Sequence, residues 1–143
     1  MKLSTRTRYG IRAIIELAQY EGNRPLQLRT IAERQDISIK YLEQLMGVLR
    51  SAGLVRSVRG SKGGYTLGRP AEQIKLSEVF RCLEGPVTTT ECVEDEDCCK
   101  RSADCVAREV WVEVEAAIHN VLDSISLQDL VKRTKTRGSD YQI

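Results

Sequence analysis

Residues 37–70, ISIKYLEQLMGVLRSAGLVRSVRGSKGGYTLGRP, decide the fold of this chain. Apolar residues recur at helical spacing in the first part of this stretch: Ile39, Leu42, Leu45, Met46 and Leu49. Ser38 stands where a helix N-cap is expected, and Gly53 stands where the helix should end. The second part predicts a strand at Leu54–Val58, a glycine-rich tip and a returning strand at Tyr65–Leu67. The sequence therefore predicts a helix followed by a β-hairpin.

A second short helix precedes this one and makes the pair a helix-turn-helix. Apolar residues predict it over Leu28–Gln35, and Asp36 and Ile37 form the turn. The second helix of this motif enters the major groove, and its N-terminal residues meet base edges. Five residues of that helix are the candidates for base contact: Ser38, Lys40, Tyr41, Glu43 and Gln44. From these residues alone, a helical hairpin with its polar groups in water is an equal alternative.

The hairpin that directly follows these two helices favours the DNA-binding interpretation over a simple helical hairpin, because it is basic. Its tip carries Arg59 and Lys62 between glycines, so both side chains can lie against phosphates or in a minor groove. A helix-turn-helix followed by such a hairpin is a winged helix. The predicted fold class is therefore mostly α-helical with a small β-hairpin wing.

The charges of the chain divide between its halves. Residues 1–70 carry 13 Lys and Arg against 5 Asp and Glu, whereas residues 71–143 carry 9 against 15. A basic first half suits a polyanion such as nucleic acid, and the acidic second half must face away from it. With 41% hydrophobic and 29% charged residues, the chain has the composition of a globular protein with a real core. Double-stranded DNA is the expected partner.

Two further helices complete a winged helix-turn-helix DNA-binding domain, the reader domain, which we place at residues 1–84. Ser4 or Thr5 can cap a first helix, whose apolar residues run from Tyr9 to Ala18. Another helix is predicted at about Leu76–Glu84. Cys82 falls on its apolar pattern, so we interpret this cysteine as a small buried residue and not as a ligand.

Residues 85–104 are predicted to be a loop that could bind a cluster. Three cysteines lie in this loop, and a fourth, Cys105, follows it directly. Cys92 is separated by five residues from the adjacent pair Cys98 and Cys99, and five more precede Cys105. Zinc sites usually pair cysteines two to four residues apart, and that spacing is absent here. The wider gaps favour an iron–sulfur cluster, with zinc or a thiol switch as alternatives. The order of this loop should depend on what the thiols hold.

A long amphipathic helix begins after the last cysteine, in a region that we place at residues 105–133 together with a final short helix. One stripe contains Val106, Val110, Val114, Ala117 and Val121, and a neighbouring stripe contains Trp111, Ile118, Leu122 and Ile125. The same helix of a second subunit can cover this wide face, which predicts a homodimer. Docking onto the chain's own first helix is the alternative. Residues 134–143 are predicted to be a disordered tail.

Other classes of function are not expected. No apolar run approaches the roughly 18 residues of a membrane span, and the first ten residues lack the apolar core of a signal peptide. A cytoplasmic location follows, where clustered cysteines are metal ligands or redox thiols rather than disulfides. His119, inside the long helix, has no cysteine beside it, so we predict no enzymatic activity and no small-molecule substrate.

The motifs YLEQL (residues 41–45) and RGSKGGY (residues 59–65), followed by a cysteine loop and a tryptophan-bearing helix, resemble the Rrf2 family of bacterial winged-helix regulators. The likeness covers about residues 1–133 and is greatest to members that regulate iron–sulfur cluster assembly. It implies a homodimeric transcription factor, a repressor in our prediction, with one [2Fe-2S] cluster per subunit whose occupancy switches operator recognition. A [4Fe-4S] cluster is an alternative cofactor. The resemblance also implies that Glu43 reads a base.

The same resemblance implies that Cys92, Cys98 and Cys105 are cluster ligands. The family's fourth ligand is a histidine three residues after the last cysteine, and here that position is Arg108, which cannot ligate. We therefore take Cys99 as the hypothetical fourth ligand, with an exogenous thiol or a group of the partner subunit as alternatives. Within the family, a nitric-oxide sensor or a cysteine-metabolism repressor would share the reader. An electron-transfer iron–sulfur protein would use the same thiols but would not need a basic wing.

Overall fold

The computed structural model describes residues 2–140, with the backbone alone for residues 139 and 140. The predicted fold class, mostly helical with a small antiparallel hairpin, is confirmed. In chain order the elements are α1 (Thr5–Gln19), α2 (Leu28–Gln35), α3 (Ile39–Ser51), β1 (Val55–Val58), β2 (Gly64–Leu67), α4 (Leu76–Glu84), α5 (Glu91–Glu94), α6 (Val106–Ser124) and α7 (Leu127–Asp140).

Two serine caps set where α1 and α3 begin. The Ser4 hydroxyl accepts a hydrogen bond from the Thr7 N–H at 3.1 Å, and the Ser38 hydroxyl accepts one from the Tyr41 N–H at 3.2 Å. Each bond satisfies an amide that has no partner inside its helix. Asp36 ends α2 in the left-handed conformation, with φ 52° and ψ 51°. Aspartate tolerates this conformation better than most residues, so the chain can turn sharply from α2 into α3.

The wing is an antiparallel pair that is also attached to the segment before α2. Val55 pairs with Leu67 and Val58 with Gly64. Tyr65 and Leu26 exchange two backbone hydrogen bonds of 3.0 and 2.8 Å, which adds a bridge on the other side of β2. Gly64 has φ 155°, and any side chain there would collide with the Leu26 carbonyl. The glycine therefore lets the backbone of β2 approach the start of the helix-turn-helix.

One hydrophobic core joins α1, α2, α3, β1, α4 and the first turn of α7. The largest side chains that it buries completely are Ile14, Ile31, Leu42, Leu45, Met46, Leu49, Val55, Ile74, Val79 and Leu127. Leu127 and Val131 of α7 are 0% and 3% exposed. The final helix is thus part of the core of the reader domain.

Helix α6 lies outside this core. None of its residues is buried, and its exposed apolar side chains include Val106 at 72% and Val121 at 57%. At the end of α6 the chain returns, because Lys75 and Ser126 form an isolated antiparallel bridge beside the start of α4. Within residues 2–140, no helix is both long enough and apolar enough to cross a membrane.

Helix α7 extends to Asp140 and so includes residues 134–140, which the sequence alone predicted to be a disordered tail. The hydroxyls of Thr134 and Thr136 each donate to the carbonyl four residues earlier at 3.0 Å. Lys135 also forms an ion pair at 2.9 Å with Glu21, in the connection that follows α1. Both side chains are mostly exposed, so this pair contributes little stability by itself. Residues 141–143 lie outside the described residues.

Replacing Gly10 by Ala should destabilise the fold. A Cβ at this buried position would lie 2.5 and 2.8 Å from the two methyl carbons of Leu83, which is itself only 4% exposed. Overpacking of this kind costs about 1–3 kcal/mol, against a helix-propensity gain of about 1 kcal/mol. We expect a net loss near 1 kcal/mol in the free energy of unfolding, measured by urea denaturation.

The matched control is Gly47→Ala in α3, where an added Cβ meets no atom within 4 Å. It should raise stability by about 0.5–1 kcal/mol, since only the helix propensity changes. Equal effects of the two substitutions would contradict the predicted contact.

Candidate DNA interface and cysteine segment

The exposed start of α3 carries most of the predicted base-contacting residues. Ser38, Lys40, Glu43 and Gln44 are exposed and stand on the side of α3 that the core leaves free. Tyr41 differs because it is only half-exposed and its ring packs edge-on against Tyr9, with ring centroids 6.2 Å apart. The phenol edge is therefore fixed by α1 before any DNA binds.

Arg6 of α1 is a basic residue beside α3 that the sequence reasoning did not select. It lines a shallow groove of about 180 Å³ with Tyr41, Gln44, Leu45 and Val48. The three basic residues among the first eight were the available signal, but only the packing of α1 on α3 places Arg6 beside Gln44.

The wing tip lies next to the start of α2. Arg59 and Lys62 are both exposed. Lys62 lines a groove of about 290 Å³ with Arg24 and Gln27, which precede α2, and with Thr30 in its first turn. Positive side chains beside a helix start suit phosphate oxygens. Arg24, Gln27 and Thr30 were missed because the bridge between Leu26 and Tyr65 that brings them to the wing is a tertiary contact.

A polar contact fixes the helix-turn-helix against α1. Glu16 is 7% exposed, and its carboxylate accepts hydrogen bonds from Gln35 at 2.6 Å and Arg34 at 3.4 Å. Arg12 donates to the Gln35 side chain and to its carbonyl, both at 2.8 Å. Buried carboxylates need such partners, so the end of α2 is held in one position.

Residues 87–105, called the cysteine segment below, are more regular than the predicted loop. They contain α5 and two single 3₁₀ turns, at Glu96–Cys98 and Ser102–Asp104. Cys92 lies on α5, Cys98 ends the first turn, and Cys105 is the N-cap of α6. The segment therefore owes much of its order to hydrogen bonds of the chain itself.

The four thiols differ in exposure. Cys98 and Cys99 are exposed, whereas Cys92 and Cys105 are half-buried. Partial loss of hydration raises the pKa of the Cys98 thiol, and the nearby carboxylates of Asp95 and Glu91 raise it further. Four thiols suit the ligation of an iron–sulfur cluster chemically. Among the described residues, however, no three His, Cys, Asp or Glu side chains converge as a metal site, so binding requires the segment to rearrange.

Arg108 connects the cysteine segment to α6. Its Nε donates to the Cys92 carbonyl at 2.9 Å, and its guanidinium forms an ion pair with Glu96 at 3.2 Å. The backbone N–H of Arg108 donates to the Cys105 sulfur at 3.4 Å. The outer cysteines, Cys92 and Cys105, are therefore both attached to this one residue in the first turn of α6.

A second attachment lies earlier in the segment. The Thr89 N–H donates to Glu115 of α6 at 3.3 Å, and the Thr89 hydroxyl lies 3.4 Å from the same carboxylate oxygen and from the Trp111 carbonyl. The cysteine segment therefore lies along α6 over about two turns.

Cys82 and His119 are separate from this group. Cys82 packs half-buried between α4 and α3, with its sulfur 3.6 Å from the Val48 carbonyl. Burial raises the pKa of the Cys82 thiol, against a smaller opposing effect of Arg6. His119 is exposed on α6. Neither residue joins the four clustered thiols.

A helix-turn-helix followed by a basic hairpin defines a winged-helix DNA-binding protein. Comparison with known proteins then gives the family. The model of the Rrf2 family, described as an iron-dependent transcriptional regulator, matches residues 3–133. The chain belongs to this family.

Relatives with two different names are about equally similar to the chain. CymR of Bacillus subtilis is 44% identical over 141 residues, which cover 99% of this chain and 97% of CymR. The solved structure of CymR, named the global cysteine regulator of B. subtilis, has a TM-score of 0.78 at 43% identity and covers 93% of this chain and 98% of that one. IscR of Xenorhabdus nematophila is 40% identical and covers 92% of this chain and 80% of its own length. The T. potens IscR structure has a TM-score of 0.77 at 41% identity, covering 100% of this chain and 92% of that one.

Proposed function

We propose that this regulator is a cytoplasmic homodimeric repressor that senses iron–sulfur clusters. It binds double-stranded operator DNA and controls genes of cluster biogenesis, and cluster occupancy determines which operators it recognises. Cys92, Cys98, Cys99 and Cys105 would hold one [2Fe-2S] cluster in each subunit. When bound, the cluster would supply a centre sensitive to oxidation and to iron supply.

The observation that carries this proposal is the attachment of the outer cysteines to α6. Arg108 bonds to the Cys92 carbonyl and to the Cys105 sulfur, so two ligand candidates from opposite ends of the cysteine segment lie at one turn of helix. Cluster binding or loss at these cysteines would therefore alter the contacts of the first turn of α6. Cys98 and Cys99 are exposed on the intervening turn and have fewer bonds to break on moving inward.

Repression of cysteine-metabolism genes is the second candidate function. Two observations favour it: the similarity to CymR over nearly the whole chain, and the occupation by Arg108 of the position where cluster-binding relatives are expected to have a histidine. In that case the thiols would not bind iron. The reader, the wing and the dimer are the same in both candidates.

The second subunit is proposed from the exposed face of α6. Val106, Val110, Val114 and Val121 lie along one side of the helix and are 40–72% exposed. Leaving this face in water forgoes about 25 cal/mol per Å² of apolar area. The same helix of a second copy would cover it around a two-fold axis and would place two readers on a two-fold operator.

Gln44→Ala and Lys62→Ala should weaken DNA binding in different ways. Gln44 faces base edges, so its loss should cost about 1–3 kcal/mol on the operator and little on unrelated DNA. Lys62 is proposed to contact phosphates, so its loss should weaken binding to the operator and to unrelated DNA alike. It should also reduce the slope of log affinity against log salt concentration by about one. Fluorescence anisotropy across a salt series measures both effects. Lys100→Ala in the cysteine segment is the control and should leave the slope unchanged.

Replacing both Val110 and Val114 by Glu should separate the subunits. Two charges on the exposed stripe of α6 would have to be buried in a dimer, which is costly without partners. Light scattering should then give the mass of one chain, with an unchanged circular dichroism spectrum. Ala116→Glu, also on α6 but away from the stripe, is the matched control and should remain dimeric. A dimeric double variant would contradict the proposed interface.

Anaerobic reconstitution with iron and sulfide tests the sensing proposal. Visible absorption should appear in the wild type and in Cys82→Ala, and should be lost in Cys92→Ala, Cys98→Ala and Cys105→Ala. Reduced absorption in Cys99→Ala identifies the fourth ligand, whereas full retention contradicts the four-cysteine arrangement. Loading should change operator affinity by about 5–150-fold, the usual range of such coupling. A wild type that stays colourless would favour the cysteine-metabolism candidate.

A further inference from the structure

The strongest unassigned feature of the structure is the environment of the Arg108 side chain. This side chain is only 17% exposed, although arginine on a surface helix is ordinarily solvated. Its guanidinium has two partners in the cysteine segment, the Cys92 carbonyl and the Glu96 carboxylate. Glu96 is 76% exposed, so the ion pair alone contributes little.

We infer that Arg108 is a positioning residue that folds the cysteine segment onto α6. The Cys92 carbonyl belongs to α5, which has only four residues and cannot be stable as an isolated helix. A charge-assisted hydrogen bond from Arg108 holds α5 at the first turn of α6. The planar guanidinium meets the carbonyl with Nε and the carboxylate with Nη2, whereas a lysine would have to reach both from a single nitrogen.

With this contact, the cysteine segment can stay ordered whether or not its thiols bind a metal or cluster. A loop held only by a shared ion becomes disordered when the ion leaves. Here Arg108 holds the backbone of Cys92 at the first turn of α6 through its guanidinium, so this contact does not use the Cys92 thiol. Cys105 itself is held by the backbone N–H of Arg108, and that bond does not depend on the side chain. Removing the guanidinium should therefore release Cys92 and leave Cys105 in place.

The test uses the full chain, reduced and treated with chelator, so that its outcome does not depend on whether the thiols bind a cluster. Hydrogen exchange followed by mass spectrometry should show about tenfold faster exchange of amides 92–98 in Arg108→Ala. Alkylation of Cys92 should accelerate by a similar factor, whereas that of Cys105 should change little. Arg108→Lys should keep part of the protection, because the ammonium retains the charge and its donors but offers them from a single nitrogen.

Two further variants make the outcome specific. Arg101→Ala removes a positive charge from the same segment at an exposed position and should behave as the wild type. Glu96→Gln should have a small effect, because the bond to the Cys92 carbonyl remains. Equal exchange and alkylation in Arg108→Ala and Arg101→Ala would overturn the inference, as would equal acceleration at Cys92 and Cys105. If Arg108→Ala failed to fold, the intermediate protection expected of Arg108→Lys would still decide.

Discussion

Two backbone hydrogen bonds close the base of the segment that contains α4, the cysteines and α6. The Leu76 N–H donates to the Ile125 carbonyl at 2.7 Å, and the Leu127 N–H donates to the Ile74 carbonyl at 2.9 Å. Ile74 and Leu127 are completely buried, so these bonds are shielded from water and costly to lose. These bonds fix the start of α4 and the end of α6 at the same place on the reader domain. Helix α6 can therefore lie outside the core and still keep its orientation.

The far end of α4 is fixed as well. Glu84 accepts hydrogen bonds from Ser4 at 2.6 Å and from the buried Thr7 hydroxyl, and Leu83 packs against Gly10. The bonds from Ser4 and Thr7 lower the pKa of Glu84 below its usual 4.5. Because the folded-state pKa is the lower one, this stabilisation is complete above pH 4.5 and is lost as the pH falls through the folded pKa. The cysteine segment thus starts just beyond a rigid helix, and its own contacts decide its conformation.

The sequence predicted the elements that local patterns specify. Ser38 and the apolar spacing of α3, like the glycines of the wing, act within a few residues, so these boundaries needed no tertiary information. Local patterns did not indicate the features that distant contacts decide. Helix α7 continues past Thr134, where Lys135 pairs with Glu21, more than 100 residues away. Arg6 entered the candidate interface only through the packing of α1 on α3, and Arg24 only through the bridge between Leu26 and Tyr65. For Arg108, the sequence showed that a ligand was missing, but not that the side chain bonds to the cysteine segment.

The distribution of charge limits how the cysteine segment can influence DNA binding. Glu94, Asp95, Glu96 and Asp97 are exposed or half-exposed, and a polyanion would repel them at close range. Direct contact between this segment and DNA phosphates is therefore unfavourable. The segment instead contacts α6 through Thr89 and Arg108, and the end of α6 joins the core beside Ile74. Any influence of the thiols on the reader domain would therefore pass along α6, because the described contacts of the cysteine segment are with α6 and the end of α6 joins the core.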